Sequence, residues 1–451
     1  MTKKLRGVTD QVERSIESAL APGRRVSYGA DFDFLGELQA VEKQIAGLVR
    51  TAPKRAVSLY ETFLAGCYEK AEEIDDSSGS FGQFVGELFR GWIKARQAAA
   101  ADPDETANRL LAWMDDDPYG FCYQMEKDAT KVLDQPGLAA LERLIRARFD
   151  AAASAESAPG EPFRSKRNYQ RRRCSEILRA IYVRQRNVAA YVTLAEVTGL
   201  TARDCHTLAT MLVARRKLEQ AHSWVERGLE IENKTAPESL AGYELAHLKR
   251  ELLTKLGRVG EALEAAWAEY RAHPSTISYG DLMKYVPKGE RAAWHEQALD
   301  AANGAELHPL IELLLDTKEH ERLADLVRRT EDTALEDVSH YATETAAKKL
   351  EKTHPDLAAR LWCAQGMRVV KARKSKYYDA ALSNFERARR CFEKAGRPAD
   401  WERVVQAVRS QHRRKTWFIA GFERIATGPS QTPSFLERAK ARWGARLKTN
   451  E

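Results

Sequence analysis

The strongest chemical pattern in the sequence is a run of cations with aromatic side chains among them. The run opens the segment 164–186, with Phe163 and Tyr169 interleaved. Its six basic residues are Arg164, Lys166, Arg167, Arg171, Arg172 and Arg173. Such patches bind phosphate backbones, and the aromatic rings can stack on bases. The run is therefore a candidate contact for nucleic acid or for an acidic partner.

The same run is also consistent with a solvated helix that faces another part of the chain. Residues 1–163 carry 20 Lys/Arg and 27 Asp/Glu, whereas residues 164–200 carry 9 and 2. The acidic N-terminal part is thus a plausible intramolecular partner for the basic run. The sequence favours a self-facing or protein-facing role over a nucleic-acid role.

Two further groups of cations lie near the C-terminus. Arg413, Arg414 and Lys415 precede Trp417 and Phe418. The other group comprises Arg368, Lys371, Arg373, Lys374 and Lys376. Cations are also common at the C-terminal ends of helices, where they interact favourably with the helix dipole. Both groups are therefore either a partner-binding surface or ordinary helix ends, and the sequence favours the second interpretation.

The most distinctive short motif is an acidic turn. Residues 75–80 read Asp-Asp-Ser-Ser-Gly-Ser, and clustered carboxylates beside a glycine suit a hard metal cation. The motif lacks the D-x-D-x-D-G spacing and the distal glutamate of an EF-hand loop. An amphipathic helix is predicted from Phe81, and Ser78 or Ser80 suits its N-terminal cap. We favour the capping interpretation and assign no metal ligand.

No residue pattern indicates catalysis. The sequence contains no G-x-S-x-G elbow, H-E-x-x-H pair, P-loop or G-x-G-x-x-G motif. His206 follows Cys205, but no second pair lies at a zinc-binding spacing. We therefore expect a protein that is not an enzyme, with no catalytic residue, no metal and no cofactor.

The elements that position these residues are predicted to be helices. Ala, Leu, Arg and Glu, all strong helix formers, dominate the composition, and β-branched runs of strand length are nearly absent. With 43% hydrophobic and 30% charged residues, the chain can bury a core and does not read as a disordered protein. The expected fold class is all-α, with an N-terminal helical domain followed by an irregular TPR-like α-solenoid.

Cysteine usage and apolar segments indicate the compartment. The six cysteines are widely scattered and form no CxxC pair, which is typical of a reducing environment. The N-terminus has no apolar segment after its charges, and no stretch approaches the roughly 18 apolar residues of a membrane span. We expect a cytoplasmic protein that makes no membrane contact.

A stretch of small residues, AAASAESAPGEP at 151–162, is the best linker candidate. The basic tail that ends the chain contains a predicted amphipathic helix, Phe435 to Leu447, which caps the last repeat or contacts a partner. The predicted parts are an N-terminal helical domain at 1–150, a linker at 151–163, a TPR-like helical-repeat domain at 164–426 and the basic tail at 427–451.

Helical hairpins recur from about residue 187. In each, small or apolar residues follow one another at helical spacing, which lets two helices approach closely. These residues include Ala221, Val225, Gly228, Ala262, Ala266, Leu323, Val327, Ala381, Phe385 and Ala388. The irregular intervals between the segments differ from the period of about 34 residues in a regular TPR array. One hairpin cannot bury its own apolar face, so the repeats must stack into a continuous core.

Three stretches resemble a bacterial helical-repeat family of unknown function that is often associated with SWIM-type zinc-finger proteins. They are LYETFLAGCYEKAEEIDDSSGSFGQFVGELF, EQAHSWVERGLE and KSKYYDAALSNFERARRCFEKAGRPADWERVVQAVRSQHRRKTWFIAGFERI. The resemblance covers roughly residues 30–425 and implies an α-helical repeat body of unknown biochemical role. A SWIM finger needs a CxC pair and a CxH pair, and this sequence has neither. The zinc and the nucleic-acid association of that finger are therefore not carried over.

A large repeat surface without visible chemistry favours a non-catalytic scaffold for protein–protein interaction in the bacterial cytoplasm. A protein partner is thus expected. One alternative is a nucleic-acid-binding accessory protein that uses the basic segments 164–186 and 409–448. Another is a regulatory subunit of a multi-protein bacterial system.

Overall fold

The computed structural model shows a protein made of helices. Backbone and side chains are described for residues 11–21, 23, 25–27, 33–123, 125–152, 168–235, 239–372 and 375–427, and the backbone alone for 2–10, 31–32, 153–154 and 163–167. This described part contains 23 α-helices and no strand, with an isolated parallel bridge between Val26 and Ile74. The predicted all-α fold class is confirmed. None of these helices combines the length and apolar character needed to cross a membrane.

The chain forms two compact units, residues 1–256 and 257–451. The α-helices of unit 1 are α1 (Thr2–Ala19), α2 (Asp31–Leu48), α3 (Pro53–Lys70), α4 (Ser80–Ala98), α5 (Pro103–Asp115), α6 (Met125–Val132), α7 (Gln135–Ser154), α8 (Phe163–Gln185), α9 (Val188–Thr198), α10 (Ala202–Val213), α11 (Leu218–Thr235) and α12 (Leu240–Lys255).

The α-helices of unit 2 are α13 (Val259–Ala272), α14 (Thr276–Tyr285), α15 (Arg291–Ala301), α16 (Leu307–Asp316), α17 (His320–Arg329), α18 (Asp332–Asp337), α19 (His340–Leu350), α20 (Pro355–Lys371), α21 (Tyr378–Lys394), α22 (Pro398–His412) and α23 (Thr416–Ala426). Short 3-10 helices lie at Ala71–Glu73, Lys288–Glu290, Ala302–Gly304 and Ser375–Tyr377.

One hydrophobic core in unit 1 includes residues from both sides of the predicted linker. Ile145 of α7 and Ile177 of α8 both belong to it, and the two helices pack against each other. The linker at 151–163 stays a prediction as a domain boundary. Residues 151–154 continue α7, α8 begins at Phe163, and residues 155–162 lie outside the described residues, as does the predicted tail helix Phe435 to Leu447.

Unit 2 is built from helices that pack mainly on their neighbours in the chain. In its C-terminal half, α20 packs on α19 and α21, and α23 returns to α21 and α22. A Cβ added at Gly366 of α20 would lie 2.7 Å from the ring of Phe385 of α21, so this glycine permits the close approach. Ala381, Phe385 and Ala388 are buried as predicted. This is the packing of an irregular TPR-like α-solenoid.

Candidate functional site

An open groove of about 930 Å³ lies beside α8 in unit 1. Residues of α6, α8, α9 and α10 line it. We call it the α8 groove and define it by six of its lining residues, namely Tyr123, Lys127, Arg171, Arg172, Arg203 and His206. Its volume is in the range of sites that hold a ligand or the side chains of a partner.

The helical period of α8 divides its side chains between the core and the groove. Ile177, Leu178 and Ile181 are buried in the core of unit 1. Arg172 and Glu176 are exposed and line the groove. A helix with this division presents its polar face to the groove because its apolar face is used in packing.

Two of the predicted cations, Arg171 and Arg172, lie together in the groove. The guanidinium of Arg171 is 5.2 Å from the ring centroid of Phe149, and that of Arg172 is 5.9 Å from that of Tyr169. These are attractive cation–π contacts. Nε of Arg171 is buried and has no hydrogen-bond partner among the described residues. Neither arginine forms an ion pair with a described side chain, so their charges are available to an acidic ligand.

Arg173 points away from the α8 groove. It lines a separate cavity of about 660 Å³, and its Nη2 donates a hydrogen bond of 2.7 Å to the carbonyl of Met114. This contact holds α8 against the end of α5, which gives Arg173 a structural role. The side chains of the other three predicted cations, Arg164, Lys166 and Arg167, lie outside the described residues.

A buried ion pair lines the same groove. Nε of Arg179 donates to Oδ1 of Asp204 at 2.7 Å, and the hydroxyl of Tyr191 donates to the same oxygen at 2.8 Å. The amide and hydroxyl of Thr201 also donate to the Asp204 carboxylate, and the amide of Asp204 donates to Oγ1 of Thr201, which completes the capping box of α10. Burial alone would raise the pKa of Asp204, but the hydrogen bonds from Arg179 and Thr201 outweigh it and hold that pKa below its usual value. The carboxylate is therefore charged and fully occupied by protein partners.

Apolar side chains and further charges surround the groove. Tyr123 is 82% exposed, and Val183 and Val197 are also exposed large apolar residues that line it. Lys127 and Arg203 add positive charge without a described acidic partner, whereas Glu126 and Glu176 add negative charge. The groove is therefore basic on balance, mixed in charge and partly apolar. These residues were not predicted from the sequence, because they converge from four helices and from the turn before α6, with no signal in the local pattern.

In unit 2 the structure brings the two C-terminal groups of cations together. Nζ of Lys415, before α23, donates to the carbonyl of Val370 near the end of α20. The ring of Trp417 stacks on Tyr378, with centroids 6.1 Å apart and an interplanar angle of 21°. The turn before α23 therefore lies against the end of α20 and the start of α21.

The start of α19 belongs to the same edge of unit 2. Arg368 of α20 donates to the carbonyl of Val338, and Lys371 forms an ion pair with Glu336. Both contacts place the residues before α19 at the end of α20. We call this surface the unit 2 edge and define it by its exposed cations and aromatic residues, namely Tyr341, Lys376, Tyr377, Arg413, Arg414 and Trp417.

The cations of the unit 2 edge differ in how they are held. Arg413 and Arg414 are exposed and form no ion pair with a described residue. The ammonium of Lys376 lies 4.9 Å from the ring centroid of Tyr377. Phe418, unlike Trp417, is buried in the core. Arg373 and Lys374 lie outside the described residues.

The acidic turn at 75–80 acts as a helix cap. The Asp76 carboxylate accepts hydrogen bonds of 2.9 Å from the amides of Phe81 and Gly82, at the start of α4. Oγ of Ser78 accepts from the amide of Ser80 at 3.2 Å. Asp76 therefore has the main capping role, whereas the sequence predicted a serine, Ser78 or Ser80, in that role. No cluster of three or more potential metal ligands occurs among the described residues.

Unit 2 contains a chain of polar groups that was not predicted from the sequence. The hydroxyl of Tyr279 lies 2.7 Å from Nδ1 of His295, and Nε2 of His295 lies 3.1 Å from Oε1 of Glu319. These contacts tie α14 and α15 to the residue that precedes α17. The three residues are far apart in sequence, so no local spacing indicates their meeting.

The six cysteines are free and buried. Burial raises the pKa of Cys205 and that of Cys391 to about 11. A thiol with such a pKa is protonated at neutral pH, and the thiolate is the nucleophilic form. These cysteines therefore act as core residues.

Comparisons with known proteins give a family and several distant structural likenesses. A family model described as a family of unknown function (DUF6880) matches residues 6–420. No curated protein sequence matches the chain.

One solved structure, "Structure of Naa15/Naa10 bound to HypK-THB", is 13% identical to this chain, with a TM-score of 0.34. The match covers 94% of this chain and 66% of that one, which is just under two thirds. The second is a circular tandem repeat protein, 12% identical with a TM-score of 0.19, covering 94% of this chain and 97% of that one. Neither likeness is close enough to assign a site or a partner.

Proposed function

The chain belongs to DUF6880, a family of unknown function, and on that premise we propose that it is a non-catalytic helical-repeat scaffold that binds a partner protein. The observation that carries the proposal is the α8 groove, where cations without a described acidic partner lie beside exposed apolar side chains. Arginine and tyrosine are enriched among the residues that dominate the binding energy of protein interfaces.

The chemistry of the groove defines the partner segment. Arg171, Arg172 and Arg203 favour an acidic segment, and Tyr123 and Val197 favour an aliphatic or aromatic side chain beside it. Glu126 and Glu176 line the same groove and would repel a continuous phosphate backbone. These features support a protein segment as the occupant.

The setting of the scaffold is part of the proposal. It works in the bacterial cytoplasm, as a regulatory or assembling subunit of a multi-protein system. Its association with SWIM-type zinc-finger proteins, implied by the resemblance of three sequence stretches, names one class of partner to examine first.

Charge reversal in the groove tests the proposal. The full chain and the double variant Arg171→Glu/Arg172→Glu are immobilised and exposed to nuclease-treated lysate of the source organism. The wild type is expected to retain a protein that the variant loses, and that protein, once purified, to bind the wild type directly. The variant places carboxylates against an acidic segment, and like charges that meet across an interface cost several kcal/mol, so the loss is expected to be complete.

The matched control is Lys43→Glu/Lys54→Glu, which makes the same charge change at two exposed cations elsewhere in unit 1. It is expected to behave as the wild type. If the wild type and both variants retain the same proteins, the groove does not bind the partner and the proposal is wrong. If both variants lose it equally, net charge and not the groove is responsible.

A further inference from the structure

We propose that the unit 2 edge binds single-stranded nucleic acid. This goes beyond the proposed function, because it concerns a different surface, in the other unit, and a different class of ligand. The three helix starts that form the edge all lie at the end of α20, through the contacts of Lys371 with Glu336 and of Lys415 with Val370.

The unit 2 edge carries exposed aromatic side chains on which bases can stack. One side of the Trp417 indole stacks on Tyr378, yet the residue is 59% exposed. A base placed on the exposed side would extend this stack. Tyr377 and Tyr341 are 47% and 74% exposed at the starts of α21 and α19. Each helix start on the edge thus carries an aromatic side chain that solvent can reach, and base–aromatic stacking is how sequence-tolerant binders hold single strands.

The unit 2 edge also carries positive charge that can bind phosphates. Arg413, Arg414 and Lys376 are exposed, and none has an ion-pair partner among the described residues. No described side chain caps α19 or α23, so their first amides are open to an anion. Amide groups at a helix N-terminus and nearby cations together favour phosphate oxygens.

The alternative occupant is an acidic protein segment, and the aromatic rings argue against it. The carboxylates of such a segment would pair with the cations, but they would not continue the stack of Trp417 on Tyr378. The bases of a single strand satisfy both features, since phosphates meet the cations while bases stack. Duplex DNA presents its bases already stacked on each other, so it should bind more weakly than a single strand.

Fluorescence anisotropy with a labelled oligothymidine of about 20 nucleotides tests this on the full chain. Trp417→Ala is expected to weaken binding by about 5- to 150-fold, the range for loss of one stacked base, and Trp417→Phe to restore most of it. Arg413→Gln/Arg414→Gln is expected to reduce the slope of log affinity against log salt by about 1.4, since each phosphate contact on a single strand contributes about 0.7.

Two controls make the outcome decisive. Lys288→Gln/Lys352→Gln removes two exposed cations elsewhere in unit 2, and Arg171→Glu/Arg172→Glu changes only the α8 groove. Both are expected to bind the oligonucleotide as the wild type does. The proposal is overturned if the wild type does not bind at low salt or if Trp417→Ala, shown to be folded by its thermal transition, binds unchanged. It is also overturned if a poly-glutamate peptide binds the edge more tightly than the oligonucleotide, or if the groove variant alone loses binding.

Discussion

Nε of Arg179 lies 2.7 Å from Oδ1 of Asp204, and this pair joins α8 to α10 beside the α8 groove. The Asp204 side chain is 4% exposed and that of Arg179 is 19% exposed, so the pair is largely removed from water. A buried charge that loses its partner cannot recover the lost interaction from solvent. Loss of either residue is therefore expected to destabilise the packing of α8 on α10 beside the groove.

Removal of Asp204 tests this dependence. Asp204→Ala is expected to lower the free energy of unfolding of unit 1 by about 3–5 kcal/mol, because Arg179 remains without its carboxylate. Urea denaturation followed by circular dichroism measures the change. Asp115→Ala, which breaks the exposed ion pair with Arg148, should cost no more than about 1 kcal/mol. Equal losses of unfolding free energy in the two variants would show that the pair of Arg179 and Asp204 stabilises unit 1 no more than an exposed ion pair does.

Gly228 provides a test of how closely the helices of unit 1 approach. A Cβ at this position would lie 2.8 Å from Cβ of Cys205 and 2.8 Å from Cδ1 of Leu245. Gly228→Ala should therefore destabilise unit 1 by about 1–3 kcal/mol through overpacking. Gly86 in α4 is the matched control, because its nearest neighbour for a new Cβ is an Arg90 side-chain atom 4.0 Å away. Gly86→Ala should stabilise the protein by about 0.5–1 kcal/mol, and thermal denaturation distinguishes the two signs.

The buried His412 gives unit 2 a pH dependence of known direction. Burial, followed by the positive charges of Lys415 and Lys371, lowers its pKa from the ordinary value of 6.5. At a pH below 6.5 the imidazole of the unfolded chain binds a proton that the folded one resists, so unfolding is favoured. Stability is therefore expected to fall as the pH drops below 6.5, and the loss is complete once the pH lies below the pKa of the folded state.

Nuclear magnetic resonance titration of the His412 imidazole checks this directly. The resonance should titrate below 6.5 in the wild type, and Lys415→Met should move the pKa part of the way back. Lys376→Met should leave it unchanged, since Lys376 is not among the charges that lower it. A pKa at or above 6.5 in the wild type would contradict the assigned cause.

Helical periodicity explains which parts of this structure could be predicted. Ala221, Val225 and Gly228 recur at helical spacing, and all three are buried where α11 packs on its neighbours. The same pattern placed Ala381 and Phe385 in the core of unit 2. Such residues are predictable because the face that a helix buries is encoded within a few turns of its own sequence.

Contacts between distant helices could not be predicted in this way. The Arg413 group and the Lys376 group meet on one edge only because the turn before α23 packs on the end of α20. The position of this turn depends on how large side chains such as Trp417 of α23 and Tyr378 of α21 pack together, although they are far apart in sequence. The cation run of α8 shows a related limit, because periodicity cannot tell which face meets a groove and which meets α5.

The division of that run between two faces leads to a last prediction. Arg173 donates to the carbonyl of Met114, so Arg173→Ala should lower the free energy of unfolding by about 1.5–3 kcal/mol, as for a lost hydrogen bond from a charged group. It should leave binding at the α8 groove unchanged. Arg172→Ala should instead weaken binding at the α8 groove, because the Arg172 side chain is exposed and faces the groove. Its free energy of unfolding should change by no more than about 0.5 kcal/mol.

Both variants are compared with the wild type by urea denaturation and by binding of the partner that the wild type retains. These two measurements show whether each arginine contributes to stability or to binding. A variant that is destabilised but binds normally has lost a packing contact, whereas one that is stable but does not bind has lost a ligand contact. If Arg173→Ala abolished binding at full stability, the cation run would act as one surface in spite of its two faces. That result would require the partner to reach the cavity beside α5 as well as the groove.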